Sequence, residues 1–294
     1  MSDFIQLNQN IYRFKNDESW VVLSAIEQKI KFKIEAIGTP LKDWNINIYR
    51  GVLTGYNEAF IIDGFKKDEL IKEDPKSAEI IRPILRGRDI KKYDYEFSNL
   101  WLLNIHNGIR DRNIKPIDID SYPAIKKHLD LFYPALQKRL DKGVTPYHLR
   151  NCAYMDDFFK QKIIWGEISD TAKFGIELSG EFVCEATSFL LTGESLQYLT
   201  CFLNSKLSAY LFSKIGTTTG VGTIRWKKYT IEQLLVPKLT EEKEKVFIDI
   251  LNKILIEKIP NQKEELQNHL DDLIFEETKL SPEEIHYIKF EATI

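Results

Sequence analysis

The chain is poor in sulfur. Its 294 residues include three cysteines, Cys152, Cys184 and Cys201, and two methionines. The cysteines are widely spaced and form no CxxC pair, which argues against a structural zinc site. They read as reduced, buried thiols of a cytoplasmic protein. Histidine is equally sparse: His106, His128, His148, His269 and His286 are scattered, without metal-ligand spacing. No apolar run approaches the roughly 20 residues of a membrane span. The opening Met-Ser-Asp-Phe-Ile-Gln has no basic-then-apolar signal pattern.

Catalytic signatures are also missing. The sequence has no GxxxxGK[ST], HExxH or GxSxG motif, no Asn/Asp-Pro-Pro-Tyr/Phe and no glycine-rich cofactor loop after a strand. Asp17, Glu27 and Lys29 match a metal-dependent nuclease spacing loosely. Glu27 is expected mid-helix between core positions, so that match is set aside.

What is present is a large apolar inventory. Hydrophobic residues make up 43%, charged residues 29% and aromatic residues 12% of the chain. That is a globular composition with a sizeable core. The net charge of −3 conceals an asymmetry. From Thr240 onward seven lysines face fourteen acidic residues, so the tail carries −7 and the rest of the chain +4. A basic body with an acidic tail fits one DNA-facing and one protein-facing module.

Apolar periodicity predicts a helix over Asp17 to Ile37, through Trp20, Leu23, Ile26, Ile30, Ile34 and Ile37. Ile46 to Arg50 is an extended segment. Gly51 to Asn57 is a loop, and Ala59 to Ile62 is a strand. A short helix is expected over Lys67 to Lys72, and a buried strand at Leu100 to Leu103. A helix runs from Tyr122-Pro123 to about Leu140, kinked or split by Pro134. Lys162 to Trp165, Phe182 to Cys184 and Ser188 to Leu191 read as strands of a mostly antiparallel sheet. One helix is expected over Leu196 to Ile215, then a flexible polar loop from Gly216 to Thr223. Beyond Pro237 the pattern is helical, broken at Pro260. Ser281-Pro282-Glu283-Glu284 has the form of a capping box. The expected fold class is α+β, a mixed and mostly antiparallel sheet with flanking helices. Its parts are a helical lead-in over 1–39, a recognition domain over 40–238 and a helical segment over 239–294.

Binding candidates stand out where catalytic ones do not. Arg82, Arg86, Arg88, Lys91 and Lys92 lie among apolar residues in the run from Ile81 to Tyr93. Guanidiniums so clustered need anionic partners. Arg82, Lys91, Lys92, Lys227 and Lys228 suit phosphates, and Thr54, Asn57, Arg86, Arg88 or Arg225 suit base edges. Gly51 and Gly55 allow close backbone approach. The structural alternatives are an ordinary hairpin turn at 51–57, ion pairs of the arginines with Asp89, Asp94 or Glu96, and a mobile linker at 217–223.

Several blocks, in order, resemble the C-terminal specificity region of type IIG restriction-modification enzymes and Taq-type DNA adenine-N6 methyltransferases. Trp20 to Gly38, with Leu41-Lys42-Asp43, is similar to the segment leading out of the methyltransferase domain. Gly51-Val52-Leu53-Thr54-Gly55-Tyr56-Asn57-Glu58-Ala59-Phe60 resembles the family's G-[IV]-x-T-G-x-N-x-A-F block, and Ile80 to Ile90 the next. Tyr147 to Cys152, which contains Arg150, resembles a third block together with Lys162 to Trp165. Leu203 to Leu207 resembles a fourth, and Leu273 to Ile285 the closing helices. The tail departs at Phe275 to Lys279, where the family more often has a tyrosine-glycine turn.

The resemblance implies a target-recognition domain that grips duplex DNA and gives specificity to a methyltransferase or endonuclease domain or subunit. In such enzymes a separate domain flips the target adenine. S-adenosylmethionine, with Mg2+ as a second candidate, would then belong to the catalytic part and not to this chain. Two other classes stay open on the residues alone: a protein-interaction module that docks a catalytic partner, and a standalone nuclease.

Overall fold

Alternation along the central strands sets the architecture. The structure, a computed structural model, describes residues 23–109, 112–218 and 223–291. It is an α+β fold. In chain order the described strands are β1 (Gly38–Pro40), β2 (Ile46–Arg50), β3 (Ile61–Asp63), β4 (Ile81–Leu85), β5 (Leu100–Leu103), β6 (Lys162–Gly166) and β7 (Ile168–Ser169). Then come β8 (Phe174–Glu177), β9 (Val183–Cys184), β10 (Ser188–Gly193), β11 (Thr217–Thr218), β12 (Ile224–Arg225) and β13 (Leu235–Pro237). The helices are α1 (Ala25–Ile37), α2 (Asn57–Phe60), α3 (Gly64–Glu73), α4 (Pro123–Asp130), α5 (Tyr133–Lys138) and α6 (Leu196–Leu203). They continue with α7 (Lys206–Ile215), α8 (Lys228–Ile231), α9 (Glu241–Ile256), α10 (Pro260–Thr278) and α11 (Pro282–Glu291).

The central sheet has the order β2-β10-β6-β8 and is antiparallel throughout. Successive side chains leave opposite faces of a strand. Ile163, Trp165, Phe189 and Leu191 therefore enter one core, with Trp44, Phe202 and Leu251. Ile164 and Leu190 enter the other, with Phe60, Ile84 and Leu103. Both faces are buried, which is why these strands read as unbroken apolar runs. The second sheet, β3-β5-β4-β9, covers the latter face and ends in the parallel pair β4–β9.

The C-terminal helices close the first core. Phe247, Ile250, Leu251 and Ile254 of α9 and Leu270 and Ile274 of α10 pack with Leu199, Cys201 and Phe202 of α6. The apolar stripes of the tail thus face inward. The helix starts follow local chemistry. Ser24 and Glu27 form a reciprocal capping box at α1. Asp63 caps α3, and Ser281 with Glu284 forms the expected box at α11. Lys279 ends α10 in the left-handed region at φ 54°, at the departure where a glycine would be unstrained.

Several expectations are corrected. The first helix begins at Ala25, and Asp17 and Trp20 lie outside the described residues. Glu27 sits at the third helical position, not mid-helix, and its carboxylate caps Ser24. Asn57–Phe60 is a helical turn, and only Ile61–Asp63 is strand. The span Leu196 to Ile215 is two helices. Asn204 interrupts it by exchanging hydrogen bonds with Phe174, its Nδ2 donating at 2.7 Å and its Oδ1 accepting at 3.0 Å, and Ser205 then caps α7. Pro134 splits α4 from α5 as expected. Residues 219–222 of the polar loop lie outside the described residues, while Thr217–Thr218 pairs with β12.

Two ionic contacts generate tests. Lys162 and Glu177 form an ion pair with both side chains fully buried, and the Glu177 carboxylate also accepts from Ser179 and Gly180. Lys162→Met strands that carboxylate, and the expected loss is about 3–5 kcal/mol in urea unfolding. A loss below about 1 kcal/mol would mean the pair is not holding β6 to β8.

Glu27 joins α1 to Lys214 of α7 at 2.7 Å. Burial raises its carboxyl, but the Lys214 hydrogen bond and the Ser24 N–H and hydroxyl outweigh this and hold it at about 2, against 4.5 ordinarily. Because the folded value is the lower one, the stabilisation is present above the ordinary value and fades as pH falls towards the folded one. The stability difference between the native chain and Glu27→Gln should shrink steadily as pH falls through this window. A difference independent of pH would refute the assignment.

Candidate nucleic-acid interface

Five segments, drawn from residues 50 to 187, converge on one open groove of about 690 Å³. Arg50 ends β2, and Asn57 starts α2. The loop after β4 brings Arg86, Gly87, Arg88 and Lys91. Gly166 to Lys173 and the turn Glu185 to Thr187 complete the walls.

Glu185 binds these walls together. Its residue is 6% exposed. One carboxylate oxygen accepts from Asn57 Nδ2 at 3.3 Å. The other accepts the Thr187 N–H at 2.9 Å and the Thr187 hydroxyl at 2.5 Å. Thr187 Oγ1 in turn accepts the Gly87 N–H at 3.1 Å. The Glu185 backbone N–H donates to Leu85 at the end of β4. Gly51 is required opposite: a Cβ there would lie 2.1 Å from the Glu185 carbonyl oxygen. The close backbone approach at Gly51 is thus made to this turn of the same chain, where the expectation was an approach to a partner.

The 51–57 loop is also tied from below. Thr54 is fully buried, and its hydroxyl donates to Asn57 Oδ1 at 2.5 Å and accepts the Tyr56 N–H. Arg139, 7% exposed, donates to the carbonyls of Thr54, Asp141, Pro146 and His148, and its guanidinium lies 4.4 Å from the Phe60 ring centre. Burial lowers this guanidinium to about 10. Gly55 takes φ +71°, a conformation glycine adopts without strain.

The basic residues divide into two groups. Arg86 grips Asp89 with Nε at 3.0 Å and an Nη at 2.9 Å, and Asp89 also accepts from the Arg86 N–H and the Ser98 hydroxyl. Burial pushes the Asp89 carboxyl up, but these donors outweigh it and leave it below the usual range. Arg82 donates to the carbonyls of Ala78, Glu79 and Ile81. Lys92 is largely buried near Asp271 and Lys206, and desolvation lowers its ammonium pKa. These three serve the scaffold.

The second group faces solvent. Arg88 is exposed, and its guanidinium makes no hydrogen bond or ion pair among the described residues. Arg50 pairs with Glu167 at 3.2 Å, Lys91 with Glu96 at 3.3 Å and Lys173 with Asp170 at 2.6 Å. These side chains are 57%, 45% and 40% exposed, and such surface pairs contribute only about 0–1 kcal/mol. An incoming phosphate can replace them. Arg225 pairs in register with Ile168 of the groove wall. Lys228 donates to the Ile48 carbonyl on β2 at 3.0 Å, and Lys227 stands over the Tyr229 ring. Arg150 faces a different cavity and donates to Asp141 at 3.2 Å.

The groove therefore unites Asn57, Arg86, Arg88 and Lys91, with Arg225 beside it. Sequence reading missed Arg50, Lys173, Glu185 and Thr187. Glu185 left one trace: a lone acid inside the apolar stretch from Phe182 to Leu191.

Among the described residues no His, Cys, Asp and Glu group could hold a metal ion, and no helix is long and apolar enough to cross a membrane. Solved structures of similar fold include two restriction enzymes. The type IIL restriction-modification enzyme MmeI, in complex with DNA, superposes with a TM-score of 0.64 at 13% identity, covering 86% of this chain and 35% of that one. The type IIG restriction endonuclease BpuSI gives 0.52 at 14% identity, covering 89% and 34%. The chain thus spans about a third of the length of either enzyme. At these identities the likeness concerns the fold. No curated protein matches. The model of the TaqI-like C-terminal specificity domain matches residues 82–236, more than half of the chain, so the chain belongs to that family.

Proposed function

We propose that this specificity domain reads duplex DNA through the groove held by Glu185. It would confer its sequence preference on a methyltransferase or endonuclease domain or subunit. The observation that carries this is the exposed Arg88, unpaired among the described residues, beside three cations whose carboxylate partners are readily exchanged. MmeI, similar in fold, is solved with DNA.

In this proposal Arg50, Lys91 and Lys173 neutralise phosphates, with Arg225, Lys227 and Lys228 extending the contact past β2. Arg88 and Asn57 are placed for base edges. A guanidinium can read guanine and a carboxamide adenine through paired hydrogen bonds. Asn57 would first exchange its Thr54 and Glu185 partners. The acidic C-terminal helices repel phosphate and turn toward the catalytic partner. S-adenosylmethionine and Mg2+ belong to that partner, and the cytoplasm is the compartment that fits.

Selection from randomised duplexes followed by mobility-shift titration tests this. Arg88→Ala is expected to lose about 1–3 kcal/mol on the selected sequence and much less on unrelated duplexes. Replacing Lys91 and Lys173 together should weaken all duplexes and flatten the log–log salt slope by about 2. Equal losses on every sequence for Arg88→Ala would remove it from base reading. No retention of duplex at low salt would remove the function itself.

Glu185 gives an independent test. Glu185→Ala releases Asn57 and Thr187 while leaving every groove cation in place. Stability should fall by about 1–3 kcal/mol, and discrimination between selected and unrelated duplexes should drop with non-specific affinity retained. Unchanged discrimination in a folded variant would show that the clamp does not position the reading residues.

A further inference from the structure

On the far side of Arg50 lies a second, more enclosed cavity of about 250 Å³. Arg50 lines both spaces, so the cavity adjoins the groove. Its volume falls below the roughly 300–1,000 Å³ of sites for drug-sized ligands, which suits one planar ring system.

The walls combine aromatic surface with unused polar groups. Phe159 and Tyr154 line it, and Phe159 is 40% exposed. Asn104 lines it too, and its carboxamide makes no hydrogen bond among the described residues. His106 accepts the Gly108 N–H at Nδ1 at 3.1 Å, which leaves the proton on Nε2 as a donor with no partner among the described residues. Burial and the neighbouring His148 disfavour the charged imidazole. Asn151 accepts from Asn107 through Oδ1 and keeps its amide hydrogens. Carboxamides and a neutral imidazole beside aromatic rings match the alternating donors and acceptors of a base edge. Arg150 and Arg50 supply positive charge, each held by one partly exposed carboxylate.

We propose that this cavity binds a single nucleobase carrying a phosphate, the base edge meeting Asn104 and His106 and the phosphate meeting Arg50 or Arg150. The chemistry is shared by an unstacked base of a bound duplex and by a free nucleotide. The duplex source rests on the DNA-binding proposal above, whereas the free-nucleotide source does not. Unstacking one base carries a cost that a built pocket can offset.

The two sources are separated with the full chain. Selected duplexes carrying 2-aminopurine at one position at a time report unstacking by fluorescence, and adenosine monophosphate is titrated by calorimetry. If the base comes from the duplex, one position alone should change its fluorescence on binding. Asn104→Leu and His106→Leu should each abolish that change while duplex affinity stays within about threefold. If the source is free nucleotide, the monophosphate should bind saturably and lose about tenfold in affinity in either variant. That result would uphold the pocket even if no duplex were retained. A fluorescence change that persists in both variants would overturn the proposal. So would the absence of both signals in a chain whose duplex binding is intact.

Discussion

The groove depends on one buried carboxylate. Glu185 lies in the turn between β9 and β10, at the junction of the central sheet and the second sheet. Through Asn57 it holds the loop after β2, and through Thr187 and Gly87 it holds the loop after β4. Its backbone fills the space that a side chain on Gly51 would need. Loops are usually the least fixed part of a domain. Here the loops that carry the proposed contact side chains are anchored to a strand junction.

The fate of each cation follows from exposure and partner count. Arg86 meets a carboxylate that is 3% exposed and also satisfied by the Arg86 N–H and the Ser98 hydroxyl. Freeing it would leave a buried charge, at several kcal/mol. Lys91 and Lys173 have single partners near water and lose little on exchange, and Arg50 can release Glu167 while its Nε keeps the Ala186 carbonyl at 2.8 Å. Arg88 loses nothing. A net charge of −3 is therefore a poor guide to the local field, because the acidic excess sits on the C-terminal helices and the exchangeable cations line the groove.

Much of the fold was legible because it rests on local rules. The runs Ile163-Ile164-Trp165 and Phe189-Leu190-Leu191 marked doubly buried strands, and Ser281 to Glu284 marked a helix start. The misses came from long-range partners. The break between α6 and α7 is made by Asn204 reaching Phe174, and the clamp joins residues 128 positions apart. The helical turn at Asn57–Phe60 overrides the strand propensity of its apolar residues because Thr54 and Glu185 fix Asn57. At the site, Arg88 and Lys91, picked out by their charge, both line the groove. The binding of Arg86 by Asp89, three residues on, was visible as an alternative, but charge spacing could not decide it.

If one face, organised by Glu185, meets the DNA, bound duplex must shield that face from solvent. Hydrogen–deuterium exchange on the full chain, with and without its selected duplex, tests it most directly. Protection should concentrate at residues 50–57, 86–91, 166–173 and 185–187 and be absent from α9 to α11. Protection confined to α9 to α11, with the groove segments unchanged, would contradict the account.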